Sequence, residues 1–499
     1  LCRNNQNDYK LVFASEISAI WQFPGLEKSI NIDAMNSFFQ LGYVKPPNSI
    51  QNGIFQLLPG NYLSIDFNFI SNKFFTLPEP KTWYNSLNKF SSIYRIQKDQ
   101  NISQNELLDG LENVLEQSVI SQSKADVSVG TFLSGGIDST LITSLLQKNS
   151  TRKIKTFNIS FPDIPTNESI YDEGPFARAI SNHLNTDHTE VNLSSTDAIQ
   201  IIKNIAYYYS EPFADSSQVP TFLVCKEAKD KGLSVAITGD GGDELFGGYN
   251  RHKLIPQIHN IFQNMPKSFN PLVSNILEDN KLINMFLSKE KLQKLSNAIK
   301  NSSELDNIYS TLTTKGMDIE ELLLKNKIPF SIDFFTEIKG SQSISEIIMI
   351  NDLIRYLPYD ILVKIDRASM ANSLETRAPF LDYRVAEYAW SIPIKYKIFK
   401  KGISTFSKYP LRKILNKYLP PNLTNRKKNG FSMPIGNWLK GPLRAWAEEL
   451  LNSNELKSQN LLNEKYIKNI WDAHLSNKRD NTEKLWTILM WQSWLRKWN

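Results

Sequence analysis

The hexapeptide Ser134-Gly135-Gly136-Ile137-Asp138-Ser139 joins an apolar run (Val127, Val129, Phe132, Leu133) to a helix-spaced set at Leu141, Ile142, Leu145 and Leu146. A strand that turns through two glycines into a helix commits this part of the chain to an α/β layout. The glycines let the backbone approach a polyanion closely, and the free N–H groups of the first helical turn supply partial positive charge where phosphates would sit. Serine hydroxyls add hydrogen bonds, and Asp138 can hold a Mg²⁺ that phosphates also bind. A kinase or ATPase loop would carry a Lys after its last glycine, whereas this motif has an acid at that end. The chemistry suggested is adenylation with pyrophosphate release, not transfer of a γ-phosphoryl group. Alone, the hexapeptide is also compatible with an ordinary strand-to-helix connection.

Beyond the loop the chain alternates. Apolar spacing predicts helix over 104–122, strand over 127–133, helix over 138–148, strand over 154–161, helix over 171–184, strand over 187–192, helices over 198–209 and 218–231, and strand over 233–238. This pattern predicts an α/β fold, a parallel sheet with helices on both faces and ligands beyond the strands' carboxyl ends. Ahead of it lies a small α+β piece, with Lys10 to Ala14 β-like, Asp33 to Gln40 helical, and a Pro59-Gly60 turn before Tyr62 to Ile65. Residues 68–102 are rich in Asn, Ser, Lys and Pro with weak periodicity, which predicts a surface connection. The expected division is 1–75, a linker at 76–102, and a main domain at 103–499. Segment 255–345 reads as helical and polar without motifs, and the chain from 350 onward as helical again. Seven of the ten tryptophans follow residue 437, and Leu485, Trp486, Leu489 and Trp494 share one helical face that is expected to be core.

Composition narrows the function classes. A chain of 499 residues with 41% hydrophobic and 22% charged residues has the make-up of a soluble protein of two or more domains, with no apolar run long enough to span a bilayer. The net charge of +6 is spread widely, with one concentration from Lys395 to Lys428, so a nucleic-acid surface is not demanded. Cys2 and Cys225 form no Cys-x-x-Cys pair, which argues against a disulfide framework, a zinc ribbon or an iron–sulfur site and fits a reducing cytoplasm. His183, His188, His252, His259 and His474 show no ligand spacing and are expected to be packing or solvated residues. The chain starts at Leu1 without a Met or a secretory leader, so it reads as a piece missing its beginning. Apolar surface is then expected around residues 10–65, with poor solubility.

Two further blocks carry chemistry. Val235-Ala236-Ile237 runs into Thr238-Gly239-Asp240-Gly241-Gly242-Asp243-Glu244, and so much negative charge at a strand's carboxyl end needs a cation or bound group to offset it. Asp243 can complete the Mg²⁺ site that Asp138 begins, and Asp240 is placed to order an incoming amine or accept its proton. Arg426-Lys427-Lys428-Asn429-Gly430-Phe431 is the expected source of positive charge for the phosphates, although such a block is also an ordinary solvated basic turn. Lys364 to Met370 and Leu374 to Asp382 alternate acids and bases beside apolar anchors, as an internally paired polar network does.

Taken together, Ser134 to Ser139, Glu211-Pro212-Phe213-Ala214-Asp215, Gly239 to Tyr249, Ser373 to Asp382 and Arg426 to Phe431 resemble the glutamine-hydrolysing asparagine synthetases, in order and in approximate spacing. The resemblance covers residue 104 to the end except 255–345. Leu11 to Ile17 and Leu57 to Tyr62 look like the last part of the same family's glutaminase domain. The resemblance implies an adenine nucleotide alpha-hydrolase-like domain of ATP-pyrophosphatase type, preceded by the remnant of an α+β N-terminal-nucleophile glutaminase. It implies that aspartate, ATP and ammonia give asparagine, AMP and pyrophosphate through a β-aspartyl-adenylate, with ATP and Mg²⁺ as cofactors. Carried over by position, Leu133, Ile159, Thr238 and Gly239 border the adenosine, and Ser134, Gly135, Gly136, Asp138 and Ser139 hold the pyrophosphate. Asp138 and Asp243 bind Mg²⁺, Lys428 stabilises phosphate charge, and Asp240 is the base. The implied partners are small molecules, with neither nucleic acid nor membrane among them, and a homodimer is allowed.

Two departures qualify the resemblance. Asp240 stands where many members carry Glu, a side chain one methylene longer. The family's nucleophile is an N-terminal Cys followed by Gly and Ile, whereas Cys2 precedes Arg3-Asn4-Asn5 and lies just before a block that belongs late in the glutaminase domain. Cys2 is therefore expected to be a buried strand residue, and the chain to use free ammonia or to be part of a parent that uses glutamine. Rival readings are a tRNA-modifying adenylating enzyme of the same fold, amidation of a sugar uronate or peptide carboxylate, and a silent scaffold. The acidic and basic blocks fit the first poorly, and intact Asp138, Asp243 and Lys428 argue against the last.

Overall fold

The computed structural model describes residues 2–3, 9–65, 78–97, 103–161, 172–263, 296, 305–324, 343–401, 404–424 and 433–498. Five parallel strands make the central sheet: β1 (Val129–Phe132), β2 (Lys155–Ser160), β3 (Asp187–Asn192), β4 (Val235–Ile237) and β5 (Glu375–Arg377), in the order β3-β2-β1-β4-β5. The strands alternate sides as a pleat requires: Phe157, Ile159 and Ala236 join one core, while Ile237 and Leu133 join the other. Parallel strands buried on both faces need helical crossovers. These are α1 (Gln104–Ser123), α2 (Ile137–Lys148) and α3 (Gly174–Leu184) over one face, and α4 (Ser195–Tyr208) and α5 (Gln218–Asp230) over the other.

Two of these helices, α1 and α4, begin where the sequence supplies caps. Ser103 and Glu106 form a reciprocal capping box at α1, as Ser194 and Asp197 do at α4. In α1 the residues Leu107, Leu111, Leu115 and Val119 recur every fourth position and are buried. Each predicted element of this domain is present, with ends within a few residues of expectation; α3 is described from Gly174. One strand went unread: β5 is three residues long and carries Glu375 and Arg377, so its pattern is polar.

Elsewhere the chain departs from its reading. Part of the expected surface connection is a helix, Ser86–Gln97, whose buried Phe90 stacks on Trp390 at 4.9 Å. The β-like stretch Lys10 to Ala14 is a strand only at Tyr9–Lys10, paired with Cys2–Arg3, and the later one is Asn61–Tyr62, paired with Lys81–Thr82. The helix Ile32–Leu41 starts at Asn31, whose side chain accepts from the N–H groups of Asp33 and Ala34. Its Phe38 and Phe39 pack on Trp491 of the last helix, Thr482–Trp498. That helix is buried almost all round from Leu485 to Leu495, because it lies between the N-terminal piece and α4, where Trp498 Nε1 donates to the carbonyl of Ala206 at 2.6 Å. A single apolar face was too little to expect. Between residues 10 and 65, Phe13, Phe55, Leu57, Leu58 and Tyr62 are exposed. No described helix is long and apolar enough to cross a membrane.

The helix Ile344–Asn351 passes through a wider π-helical stretch, Asp352–Ile361, into Leu362–Met370. Pro358 lies inside it and has no N–H to give to an α-helical ladder, so the backbone widens there. The widened turns carry Tyr356, Tyr359 and Asp360.

Candidate active site

The strand order reverses between β1 and β4, and in an open parallel sheet this opens a crevice at the carboxyl ends. A cleft of about 460 Å³ occupies it. The loop after β1 forms one lip and the loop after β4 the other, and Thr131↔Ile237 register keeps the two strand ends level. Leu133, Ser134, Gly135, Gly136, Asp138, Ser139, Ile159, Thr238, Gly239, Asp240 and Asp243 all line this one space. Lys428, with the rest of Arg426 to Phe431, lies outside the described residues.

The first lip is tied down from within. Ser134 Oγ and Ser139 Oγ are 3.0 Å apart, Ser134 N donates to Ser139 Oγ, and Gly136 N donates to Ser134 Oγ. Behind it, Thr143 Oγ1 donates to the Ser139 carbonyl at 2.7 Å and meets Thr131 Oγ1 at 2.9 Å, pinning α2 to β1. The N-cap of α2 is Gly136, which has no side chain with which to cap, so the first-turn N–H groups point to the cleft mouth. The two lips touch: a Cβ on Gly242 would lie 2.6 Å from Asp138 Oδ1, so only glycine lets α6 (Gly242–Phe246) start beside Asp138.

Asp138 and Asp243 converge on one cation. The ammonium of buried Lys408 binds Asp138 Oδ2 in a very short contact and Asp243 Oδ1 at 2.6 Å. Burial opposes its charge, but the two carboxylates outweigh burial and hold its pKa above the usual lysine value. Lys408 precedes the helix Tyr409–Leu415 in a left-handed conformation (φ 53°) and is fixed by its N–H to the carbonyl of Phe246 at 3.1 Å. Sequence reading missed it. The signal available was that two acids at one site demand a cation, but nothing in Ser407-Lys408-Tyr409 marks which lysine answers.

Around this triad Asp240 and Glu244 are tuned upward. Burial raises the pKa of Asp240, while its bond with Thr238 and nearby Lys364 pull the other way. Glu244 accepts from Tyr249 Oη at 2.7 Å and is pushed up to about 7 by burial and by Asp243. Lys364, read in the sequence as part of a polar network, lines the cleft and donates to Asp215 Oδ2 at 3.0 Å. The remainder of that network is structural: Arg367 meets Glu16 and Asp366, and Arg377 meets Glu375 and the carbonyls of Gln122 and Lys124. Glu211 holds the N-terminal piece, accepting from Ile50 N at 2.7 Å and Gln56 Nε2 at 3.1 Å. Of the histidines, His252 bonds to Asp352 and His474 to the Gly436 carbonyl, and neither lines the cleft.

Among the described residues no group of three His, Cys, Asp or Glu side chains could hold a metal. Two carboxylates converging beside a phosphate-sized loop nevertheless match Mg²⁺, which takes oxygen ligands and keeps some from substrate phosphates. The residues fit the ion, which would share with Lys408 the charge that Lys408 already answers.

Asp360 shows how far burial reaches in this region. It is buried beside Asp215, and burial together with that neighbouring charge pushes it up to about 8. The unfolded chain holds the same proton only to about 3.8, so folding takes up a proton between those values and stability declines as pH rises through the window, levelling off above 8. Asp360→Asn should remove this contribution, worth at most about 1.4 kcal/mol per pH unit. Thermal melts of both proteins from pH 5 to pH 9 check it: the wild type should lose stability with pH more steeply than the variant, and equal slopes would refute the protonated form.

Fold and cleft together define an α/β protein with its site at the strand-order reversal, held between a glycine-serine loop and an acidic loop. Comparison with known proteins gives the class its family. The chain belongs to the asparagine synthase family: the profile "Asparagine synthase" matches residues 110–496, and "Glutamine amidotransferase domain" matches residues 1–76. It is 27% identical to asparagine synthetase [glutamine-hydrolyzing] 1 of Bacillus subtilis, across 97% of this chain and 72% of that one. It is 30% identical to a putative asparagine synthetase [glutamine-hydrolyzing] of Mycobacterium bovis, across 94% and 68%. Amidase chyE of Penicillium rubens is 24% identical across 71% of this chain and 56% of its own. The family's chemistry is ATP-dependent amidation, and the chain is an enzyme of this ligase and amidotransferase class.

Proposed function

We propose that the chain activates a carboxylate with ATP in the cleft and passes the acyl group to ammonia, releasing AMP and pyrophosphate. The observation that carries this reading is the convergence of Asp138 and Asp243 on Lys408 beside the Ser134 to Ser139 loop. A carboxylate oxygen attacks the α-phosphorus, and the bond from that phosphorus to the bridging oxygen breaks. The departing pyrophosphate takes up charge that first-turn N–H groups, the serine hydroxyls and Lys408 are placed to stabilise. Bound Mg²⁺ would add charge neutralisation on the phosphates, held by Asp138 and Asp243. Leu133, Ile159, Thr238 and Gly239 border the space assigned to adenosine. Ammonia then adds to the acyl carbon, AMP leaves with the bonding pair, and Asp240, its basicity raised by burial, accepts the amine proton. Lys428 is assigned a second cationic role on the phosphates.

In this reading residues 1–75 are the last part of a glutaminase domain, 76–102 connect, and 103–499 form the synthetase. Ammonia is free or drawn from glutamine, and the protein is cytoplasmic. Aspartate, giving asparagine, is the substrate to test first. Pyrophosphate and AMP should appear in equal amounts with ATP, Mg²⁺, the carboxylate and ammonium, and Asp138→Ala should abolish both. ATP hydrolysis to ADP, or turnover that ignores every carboxylate offered, would sink the reading.

A further inference from the structure

Three basic side chains line the cleft among the described residues: Lys364, Lys408 and Arg412. Two are already answered. Lys364 donates to Asp215 at 3.0 Å, and Lys408 lies between Asp138 and Asp243. The Lys408 stem is also locked, since a Cβ on Gly248 would overlap both Lys408 Cε and Asp243 Oδ1. An ammonium has three N–H groups, and with two given to carboxylates Lys408 keeps one for a phosphate oxygen.

Arg412 is held but not answered. It stands four residues after Lys408, in the helix Tyr409–Leu415, and its N–H donates to the Lys408 carbonyl at 3.0 Å. Residues so spaced share a helix face, and their side chains lean toward the helix start, so both cations reach the cleft from one side. Arg412 Nε donates to the carbonyl of Ser407, another lining residue, at 3.0 Å. This bond fixes the guanidinium by one of its five N–H donors. The four on Nη1 and Nη2 make no hydrogen bond or ion pair among the described residues. The side chain is half-buried. A guanidinium keeps its charge in such a place, and its planar fork matches two oxygens of one phosphate or of two neighbouring ones.

Position selects the phosphates over the acid to be activated. The acid whose charge reaches Arg412 is Asp138, on the glycine-serine loop, whereas the charge of Asp240, the assigned base, is met by Lys364. We propose that Arg412 grips the pyrophosphate half of ATP with its two Nη groups and holds it as the bond to the α-phosphorus breaks. The bonding pair stays on the bridging oxygen, so the departing group gains negative charge where a fixed fork is worth most. The proposal rests on the adenylation reading and deepens it by naming the residue that holds the leaving group.

Calorimetry on the full chain with Mg²⁺ compares ATP, pyrophosphate and AMP. Arg412→Met should weaken pyrophosphate and ATP by about 10- to 100-fold, the loss typical of charged hydrogen bonds, and AMP, which has only the α-phosphate, by no more than about 2-fold. In turnover the same variant should need more pyrophosphate to inhibit it, with the KM for the carboxylate unchanged. Arg412→Lys keeps the charge without the fork and should lose about 3-fold or more in pyrophosphate affinity; it supplies the reading if the Met variant does not fold. Three outcomes overturn the proposal: pyrophosphate binding within about 2-fold of wild type in a folded variant, AMP weakened as much as pyrophosphate, or a raised KM confined to the carboxylate. Binding of these probes needs no acid substrate. A wild-type chain that binds ATP yet releases no pyrophosphate with any carboxylate therefore sinks adenylation, and the three affinities still decide Arg412.

Discussion

Replacing Lys408 with Met is expected to lower pyrophosphate release by about 10²- to 10³-fold, the loss typical of removing one preorganised charge from a transition state. Two consequences follow from the same bonds. Without its ammonium, Asp138 and Asp243 face each other across a buried space, so the variant should also be less stable, by about 3–5 kcal/mol if the pair behaves like other broken buried ion pairs. Added Mg²⁺ should then raise its melting temperature more than that of the wild type, since the ion would meet two carboxylates no longer occupied by lysine. Lys408→Arg keeps the charge and separates loss of fold from loss of cation. Wild-type pyrophosphate release by a folded Lys408→Met protein would show that the phosphates draw their cation from elsewhere.

Asp240→Asn carries the second large effect, and on a different step. Its carboxylate is assigned to the proton of the incoming amine, so amide formation should fall by about 10²- to 10⁴-fold, the usual reach of general-base catalysis. Carboxylate-dependent exchange of labelled pyrophosphate into ATP should persist, because adenylation does not need this base. Asp240→Glu should recover a large share of amide formation, one methylene being the whole difference. The pH dependence of the wild-type rate should reflect a carboxyl whose pKa lies above the ordinary Asp value, the direction set by its burial. Exchange and amide formation lost together would move Asp240 into the adenylation step instead.

The parts of this site that could be read from sequence are those whose function forces a local signature. A phosphate loop needs glycines next to a helix start, and an acidic loop at a strand end needs glycines to fit beside it. Ser134 to Ser139 and Thr238 to Glu244 were therefore legible, as were the strands and helices whose apolar spacing reports burial. Lys408 and Asp360 were not, because each acquires its role from a fold that brings distant segments together. A lysine becomes the partner of Asp138 and Asp243 only when its helix docks on Phe246, and an aspartate keeps its proton only because the chain buries it beside another. Strand β5 escaped for a related reason: three residues at a sheet edge, with Glu375 exposed, leave no apolar alternation to find. The helix at Ser86–Gln97 was hidden in a polar segment because, among its described side chains, Phe90 is buried while Leu87 and Ile93 are only partly so.

The contact of Phe38 and Phe39 with Trp491 bears on how the polypeptide is made. A ribosome delivers the two phenylalanines long before the tryptophan that covers them, and until then an aromatic surface waits in the open. The closing step joins the two ends of the described chain, so it is a long-range event that follows assembly of the sheet between them. Until the last helix is made, the newborn chain therefore carries an uncovered aromatic surface, the kind of surface through which incompletely folded chains associate.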